Sequence, residues 1–406
     1  MKILYSIGIH VYRALIYIAS LFNEKAKLLC IGQKDVFRLL KEKVDPTAEY
    51  VWFHAASLGE FEQGRPVIEQ LKREQPEIKI LLTFFSPSGY EIRKNYQGAD
   101  IVSYLPLDTP GNVREFMGLV KPSKAIFIKY EFWPNYLLAL QAANVPVYSI
   151  SAIFRPDQVF FKGYGKWYLS LLRTFRHIFV QDKVSLDLLE KYTIRNASVC
   201  GDTRFDRVYD LYTQAKQLPL IEEFVKNAEK VIVAGSTWPR DEELLVQYLK
   251  LHPDVKLIIV PHEVHYAHIT AISHLLDGKF VRYSEATPEN VKTTNCLVVD
   301  VIGILSSTYR YATVAYIGGG FGAGIHNTLE AAVYGIPVVF GPTYQKFREA
   351  RELMAVGGAF SISNYTILEA QMDQLLKDKQ AGKMAGEYVK QNTGATDQIC
   401  KCLIHK

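Results

Sequence analysis

Between Thr313 and Pro342 the chain reads TVAYIGGGFGAGIHNTLEAAVYGIPVVFGP, an apolar strand running into a loop with glycine at 318, 319, 320, 322 and 324. Glycines let backbone N–H groups close on an anion, and a helix starting near His326 and Asn327 would add its amino-terminal dipole. Gly322, Gly324, His326, Asn327 and Thr328 are therefore candidate contacts for a phosphate-bearing ligand, with Glu330 one turn on to accept from ribose hydroxyls. A tight strand-to-helix turn capped by Asn327 is the plainer alternative. The run is neither a Walker loop nor a clean GxGxxG, which weighs against nucleoside triphosphates and dinucleotides. Two other loops follow apolar strands: Ser236 and Thr237 in GSTWP can cap a helix or bind the same ligand, and His262 in PHE can donate to phosphate or stay a surface histidine.

The first half of the chain offers acid–base chemistry. His54-Ala-Ala-Ser57-Leu-Gly59-Glu60 follows a strand, and Glu60 sits where a helix dipole favours the carboxylate. Such a carboxylate can act as general base on a hydroxyl. Ser57-x-x-Glu60 is equally a capping box. Glu131, in KYEFWPN, ends another strand, and Pro134 suits a first helical position. Ser57, Gly59, the Ser86-Pro-Ser-Gly loop, Arg155 and Lys162 are candidate acceptor contacts. The last two stand in FRPDQVFFKGYG, whose aromatics either meet an acyl chain or pack internally.

Positioning these residues requires strands ending at the loops. Apolar runs at 50–55, 79–85, 100–106, 124–130, 146–151, 177–182 and 197–201 alternate with helix-like segments such as 60–74 and 134–144, the pattern of a parallel sheet covered on both faces. A polar stretch over 206–225 reads as a linker. The pattern resumes at 230–234, 256–261, 280–283, 296–300, 313–317 and 337–340. The expected organisation is a membrane-associating segment over 1–45, an acceptor-side Rossmann-like domain over 46–205, a donor domain over 226–385 facing it across a cleft, and a helix over 386–406 packing back on the first. Open α/β sheets bind ligands beyond the carboxyl ends of their strands.

Charge and hydropathy set the surroundings. The five cysteines are scattered and odd in number, which fits a reducing compartment rather than a disulfide scaffold. The chain carries net charge +5, of which residues 1–45 hold +4, beside the apolar run Ile3–Phe22. A basic nucleic-acid face spread over the body is therefore not expected. The run approaches bilayer-spanning length, but Arg13 at its centre is costly in hydrocarbon. It reads best as an interfacial anchor, with Lys25, Lys27, Lys34 and Arg38 meeting anionic headgroups, ahead of a spanning helix or a packed one.

HAASLGE, the PSG loop, YLPLD, the glutamate of YEFWPN, GDTRFD and the glycine-rich segment occur in this order over most of the chain. Together they resemble the 3-deoxy-D-manno-octulosonic acid (Kdo) transferases of lipid A biosynthesis. The resemblance implies a GT-B fold with two Rossmann-like domains, CMP-Kdo as donor and a lipid A precursor as acceptor at the cytoplasmic side of the inner membrane. It implies inverting transfer without metal or cofactor. Glu60 matches the catalytic base, Glu131 a second acidic position, and Asn327 and Glu330 the donor-binding segment. His262 stands where many members have arginine, leaving His262 or Arg240 to meet phosphate. A sugar-nucleotide epimerase of the same fold and a non-catalytic membrane-surface scaffold are the alternatives.

Overall fold

The computed structural model describes residues 1–405; the expectation for the C-terminal helix at Lys406 lies outside them. The chain forms two compact units, residues 1–206 with the tail from Thr393, and Arg207–Asn392. Each contains one seven-stranded sheet in which every pairing is parallel.

In the first unit the strands are β1 (Tyr50–Ala55), β2 (Lys79–Phe84), β3 (Ile101–Tyr104), β4 (Lys124–Ile128), β5 (Val147–Ala152), β6 (His177–Val180) and β7 (Ala197–Val199). They lie in the order β3-β2-β1-β4-β5-β6-β7. Because successive side chains point to opposite faces, the apolar runs feed two cores. Trp52, Leu81 and Phe127 belong to one, and Val51, Phe53, Leu82 and Ile126 to the other. Helices α1 (Lys2–Ala19), α2 (Glu24–Lys43), α3 (Leu58–Glu74), α4 (Pro87–Arg93), α5 (Pro110–Val120) and α6 (Pro134–Ala142) come from this half. The helix Ala395–His405 also packs here, burying Ile399, Cys400 and Leu403 in the second core. Asp206 fixes its start by accepting from the amides of Gly394 and Thr396 and from the Thr396 hydroxyl.

The second unit has β8 (Val231–Thr237), β9 (Lys256–Pro261), β10 (Val281–Arg282), β11 (Cys296–Val298), β12 (Val314–Ile317), β13 (Val338–Phe340) and β14 (Ala359–Ser361), in the order β10-β11-β9-β8-β12-β13-β14. In the first sheet chain order reverses direction between β1 and β4; in the second the central reversal lies between β8 and β12, with β10 outside β11 at the edge. Loops diverge there, opening a crevice at the carboxyl edge.

The polar stretch 206–225, expected as a linker, holds the helices Thr203–Thr213 and Pro219–Val225 over most of its length. Two expectations are corrected. The helix expected from His326 begins only at Leu329 and has four residues, Leu329–Ala332. The 280–283 run supplies a two-residue strand.

Helix α1 is packed on one side and bare on the other. Tyr5 donates to Asp108 at 2.8 Å, and the amide of Asn135 donates to Ser6 at 3.4 Å. Asp108 also accepts from the backbone of Asn135 and Tyr136, so one buried carboxyl joins α1 to the start of α6. Burial pushes the Asp108 carboxyl up to about 7. On the opposite side Ile3, Ile7, Val11, Leu15 and Ile18 form an exposed stripe at helical spacing, and Phe22 is exposed in the turn that follows. Among the described residues no helix is long and apolar enough to cross a membrane.

Candidate functional site

The switch point of the first sheet brings the two expected carboxylates together. Glu60 enters from α3, directly after β1, and Glu131 from the loop after β4, the neighbouring strand. Ser57 caps α3, accepting from the Glu60 amide at 3.5 Å. Glu60 Oε2 reaches back to the Ala56 amide at 2.6 Å, the helix-start bond that the capping reading expects of this side chain. Only 8% of Glu60 is exposed, and Oε1 has no hydrogen-bond partner among the described residues.

Burial pushes the Glu60 carboxyl upward, opposed by the Ala56 amide and the charge of Lys129. Glu131 is pushed up to about 7, first by burial and then by the charge of Glu60. The pair thus holds one proton to near neutral pH, the behaviour of coupled carboxyls in a poorly solvated site. Replacing Glu131 by glutamine fixes the neutral form that this carboxyl already has where Glu60 ionises, and removes the ionisation near pH 7. The acid limb of the pH–rate profile, set by Glu60, should then stay in place, while any inflection near pH 7 should disappear. A retained inflection near pH 7 would assign it to a group other than Glu131.

Lys129 completes this cluster and was not singled out from sequence. It directly follows β4 with φ 63°, a left-handed conformation that costs a side-chain-bearing residue of order 1–3 kcal/mol. Burial lowers its ammonium pKa, while Glu60 and Asp202 favour the charge and Arg204 and Arg155 oppose it. Arg155 thus lies near enough for its charge to act on Lys129.

The other acceptor candidates separate. Gly59 is exposed with open space where a Cβ would stand. Ser86 caps α4, accepting from the Ser88 amide at 3.2 Å. Lys162 is half-buried, but its aromatic neighbours Phe160 and Phe161 pack with Phe154 and Phe132 in the core. Internal packing, rather than an acyl-chain contact, explains those rings.

In the second unit the glycine-rich loop leaves β12 beside Ser236, which takes φ 54° near the end of β8. A cavity of about 420 Å³ is walled by Trp238, Arg240, Phe321, Gly322, Gly324 and His326, among others. The amides of Phe321 and Ala323, also on its wall, have no acceptor among the described residues, so both are available to an anion. His262 stacks between Trp238 (5.0 Å) and His326 (4.3 Å), and Trp238 Nε1 donates to His326 Nε2 at 3.2 Å. Burial and the neighbouring His262 lower the His326 pKa.

Two donor candidates are turned inward. Thr237 is buried and donates to Glu242 at 2.8 Å, while Thr328 is fully buried with its hydroxyl unpartnered. Asn327, one residue before the N-cap Thr328, accepts from the Leu329 amide at 3.1 Å and donates to Glu330 at 2.9 Å. A four-residue helix has too few aligned peptides for a strong dipole, so the loop amides rather than a helix end supply the field. Asp241, which reads in sequence as one more acidic residue at a helix start, accepts from the Gly319 amide, the Trp238 amide and the Tyr316 hydroxyl. It clamps the loop to the sheet.

Comparison with known proteins agrees with this architecture. The chain superposes on UDP-GlcNAc 2-epimerase from Neisseria meningitidis with a TM-score of 0.62 and 16% identity, covering 88% of this chain and all of that one. It superposes on Acinetobacter baumannii MurG with a TM-score of 0.55 and 13% identity, over 88% and 100% of the two chains. Two parallel-sheet α/β domains of this kind give the chain a GT-B-like fold. The sequence profile described as 3-deoxy-D-manno-octulosonic-acid transferase (kdotransferase) matches residues 32–207. Kdo transferases of Aquifex aeolicus and Haemophilus influenzae are 29% and 26% identical, covering 85% and 88% of this chain and 91% and 87% of theirs. By profile and by whole-chain relatives alike, the chain is similar to Kdo transferases.

Proposed function

We propose that the protein transfers Kdo from CMP-Kdo to a lipid A precursor, lipid IVA, with inversion at the anomeric carbon, at the cytoplasmic face of the inner membrane. The observation that carries this reading is Glu60, a nearly buried carboxylate with one oxygen tied to the backbone and the other unpartnered, beside a second carboxyl that retains its proton. Glu60 takes the proton from the attacking sugar hydroxyl, whose oxygen forms the new glycosidic bond as the bond from the anomeric carbon to the CMP phosphate breaks. One base and one displacement invert the centre. The second unit binds the donor: Gly322, Gly324 and the amides of Phe321 and Ala323 face its phosphate, with His326, His262 and Arg240 alongside. Departing negative charge is met by these prepositioned donors. Asn327 and Glu330, bonded to each other, supply ribose contacts after exchanging partners.

The exposed α1 stripe, with Lys25, Lys27, Lys34 and Arg38 close by in sequence, supports seating on an anionic bilayer through both burial of apolar area and charge. The epimerase reading has likeness of fold alone to support it, and a scaffold has no use for a poised carboxyl pair.

The test is CMP release together with a Kdo mass increment on a tetraacylated lipid A precursor. In parallel, flotation with anionic vesicles should recover the protein, and exchanging Ile7, Val11 and Leu15 for serine should leave it in the soluble fraction. Absence of any lipid product from the folded protein would remove this acceptor, and unaltered flotation of the serine variant would remove α1 as the anchor.

A further inference from the structure

We propose that Tyr12, Phe85 and Trp133 form an aromatic platform for the apolar ring face of the acceptor's amino sugar, and that the buried imidazole of His54 fixes the inner ring of that platform. The proposal rests on the acceptor reading above and gives it a subsite.

The rings come from three elements that converge on the switch point of the first sheet. Tyr12 lies on α1, Phe85 directly follows β2, and Trp133 stands two residues beyond Glu131 in the loop after β4. Tyr12 stacks on Phe85 at 6.4 Å and 20°, and Phe85 meets Trp133 at 4.8 Å and 39°. Tyr12 is 40% exposed, and the other two are half-buried. Backbone bonds from Phe85 to Ala55 and from Ser86 to Ala56 hold this loop against the start of the Glu60 segment. The row borders the carboxylates: the charge of Glu131 reaches the phenol groups of both Tyr5 and Tyr12.

A packed aromatic cluster needs no orientation beyond close fit. Trp133 has one. Its Nε1–H donates to His54 Nε2 at 3.2 Å, which places the imidazole hydrogen on Nδ1, facing Thr83 Oγ1 at 3.0 Å. The Thr83 hydroxyl then donates to the Phe53 carbonyl at 3.3 Å and accepts from Trp52 Nε1 at 2.8 Å. His54 is fully buried, and burial holds its pKa down to about 3, so this tautomer persists across ordinary pH. A hydrophobic residue would fill the end of β1 at lower desolvation cost. What the imidazole adds is one acceptor for one indole N–H, which sets the plane of a ring in the same loop as Glu131.

An indole face is electron-rich, and the C–H groups on one side of a pyranose carry slight positive charge, so stacking suits the two. The platform thereby holds the sugar whose hydroxyl must meet Glu60. Tyr12, Phe85 and Trp133 are binding residues in this scheme; His54 is a positioning residue.

Steady-state kinetics should be measured at saturating CMP-Kdo with two acceptors, the acylated lipid in mixed micelles and its fully deacylated headgroup in water. Tyr12→Ala and Phe85→Ala are each expected to raise KM about tenfold for both acceptors, the loss of one stacking contact. Donor KM and melting temperature should stay unchanged. His54→Phe keeps the packed volume and should raise acceptor KM while leaving donor KM alone, a split that a purely structural histidine would not give. If Phe85→Ala is unstable, Phe85→Leu retains volume and loses the ring. A KM rise confined to the acylated lipid would make the row an acyl-chain contact and overturn the sugar assignment. Unchanged KM for both acceptors would overturn the platform. A wild-type chain that uses neither acceptor refutes the functional reading, and the platform with it, before any variant is made.

Discussion

Exchanging Glu60 for glutamine should lower Kdo transfer by roughly 10²–10⁴-fold, the usual contribution of a positioned general base. Glutamine is the informative replacement. Its side-chain carbonyl can still accept from the Ala56 amide, which Glu60 Oε2 now does at 2.6 Å, so the start of α3 is preserved. Alanine would also remove that acceptor, adding about 1 kcal/mol of lost cap stability to the loss of the base. Single-turnover rates at saturating donor and acceptor, with melting temperatures for both variants, separate the two effects. A glutamine variant with near-parental turnover would leave Glu60 as a helix cap and move the base elsewhere in the cluster, to Glu131 first.

The second large effect belongs to Gly318. A Cβ there would fall 2.2 Å from the Ser236 carbonyl oxygen and 2.6 Å from the Thr237 Cα, both backbone atoms of β8. Side chains can rotate away from an intruding methyl group, whereas a paired strand cannot. Gly318→Ala is therefore expected to destabilise the second unit by about 3 kcal/mol, the upper end for overpacking, and to weaken CMP binding as β8 and β12 are forced apart. Gly322→Ala is the control. Its Cβ would meet only the Gly319 carbonyl oxygen, at 3.7 Å, so urea denaturation should show little change. If Gly318→Ala unfolds at the parental urea midpoint, close strand approach is not the reason for glycine at this position.

Both sheets were legible in the sequence because parallel strands buried on two faces appear as unbroken apolar runs. β1 and β9 match the expected bounds at both ends. β14 was not read: Ala359–Ser361 is three residues long, has one large apolar residue, and follows two glycines. The helices within 206–225 were missed because their polar faces dominate so short a stretch. Glu60 and Glu131 were legible as acids following strands. Their mutual influence was not, since it depends on which strands neighbour each other. The same holds for Lys129, His54 and Asp241, whose roles are defined by partners distant in sequence: Glu60, Trp133 and Gly319. Thr237 and Thr328 show the opposite error, since hydroxyls in glycine-rich or loop sequence invite a ligand reading that burial withdraws.

The Asp241 clamp bears on how fast a ligand is captured. Its three accepted bonds hold Gly319, Trp238 and Tyr316 in place through contacts internal to the second unit. A cradle that is already assembled spends little conformational entropy when it is filled. Nucleotide association should accordingly be a single encounter step, its observed rate rising linearly with concentration and without the plateau that marks a slow rearrangement. Discrimination among nucleotides would then reside in how long each one stays.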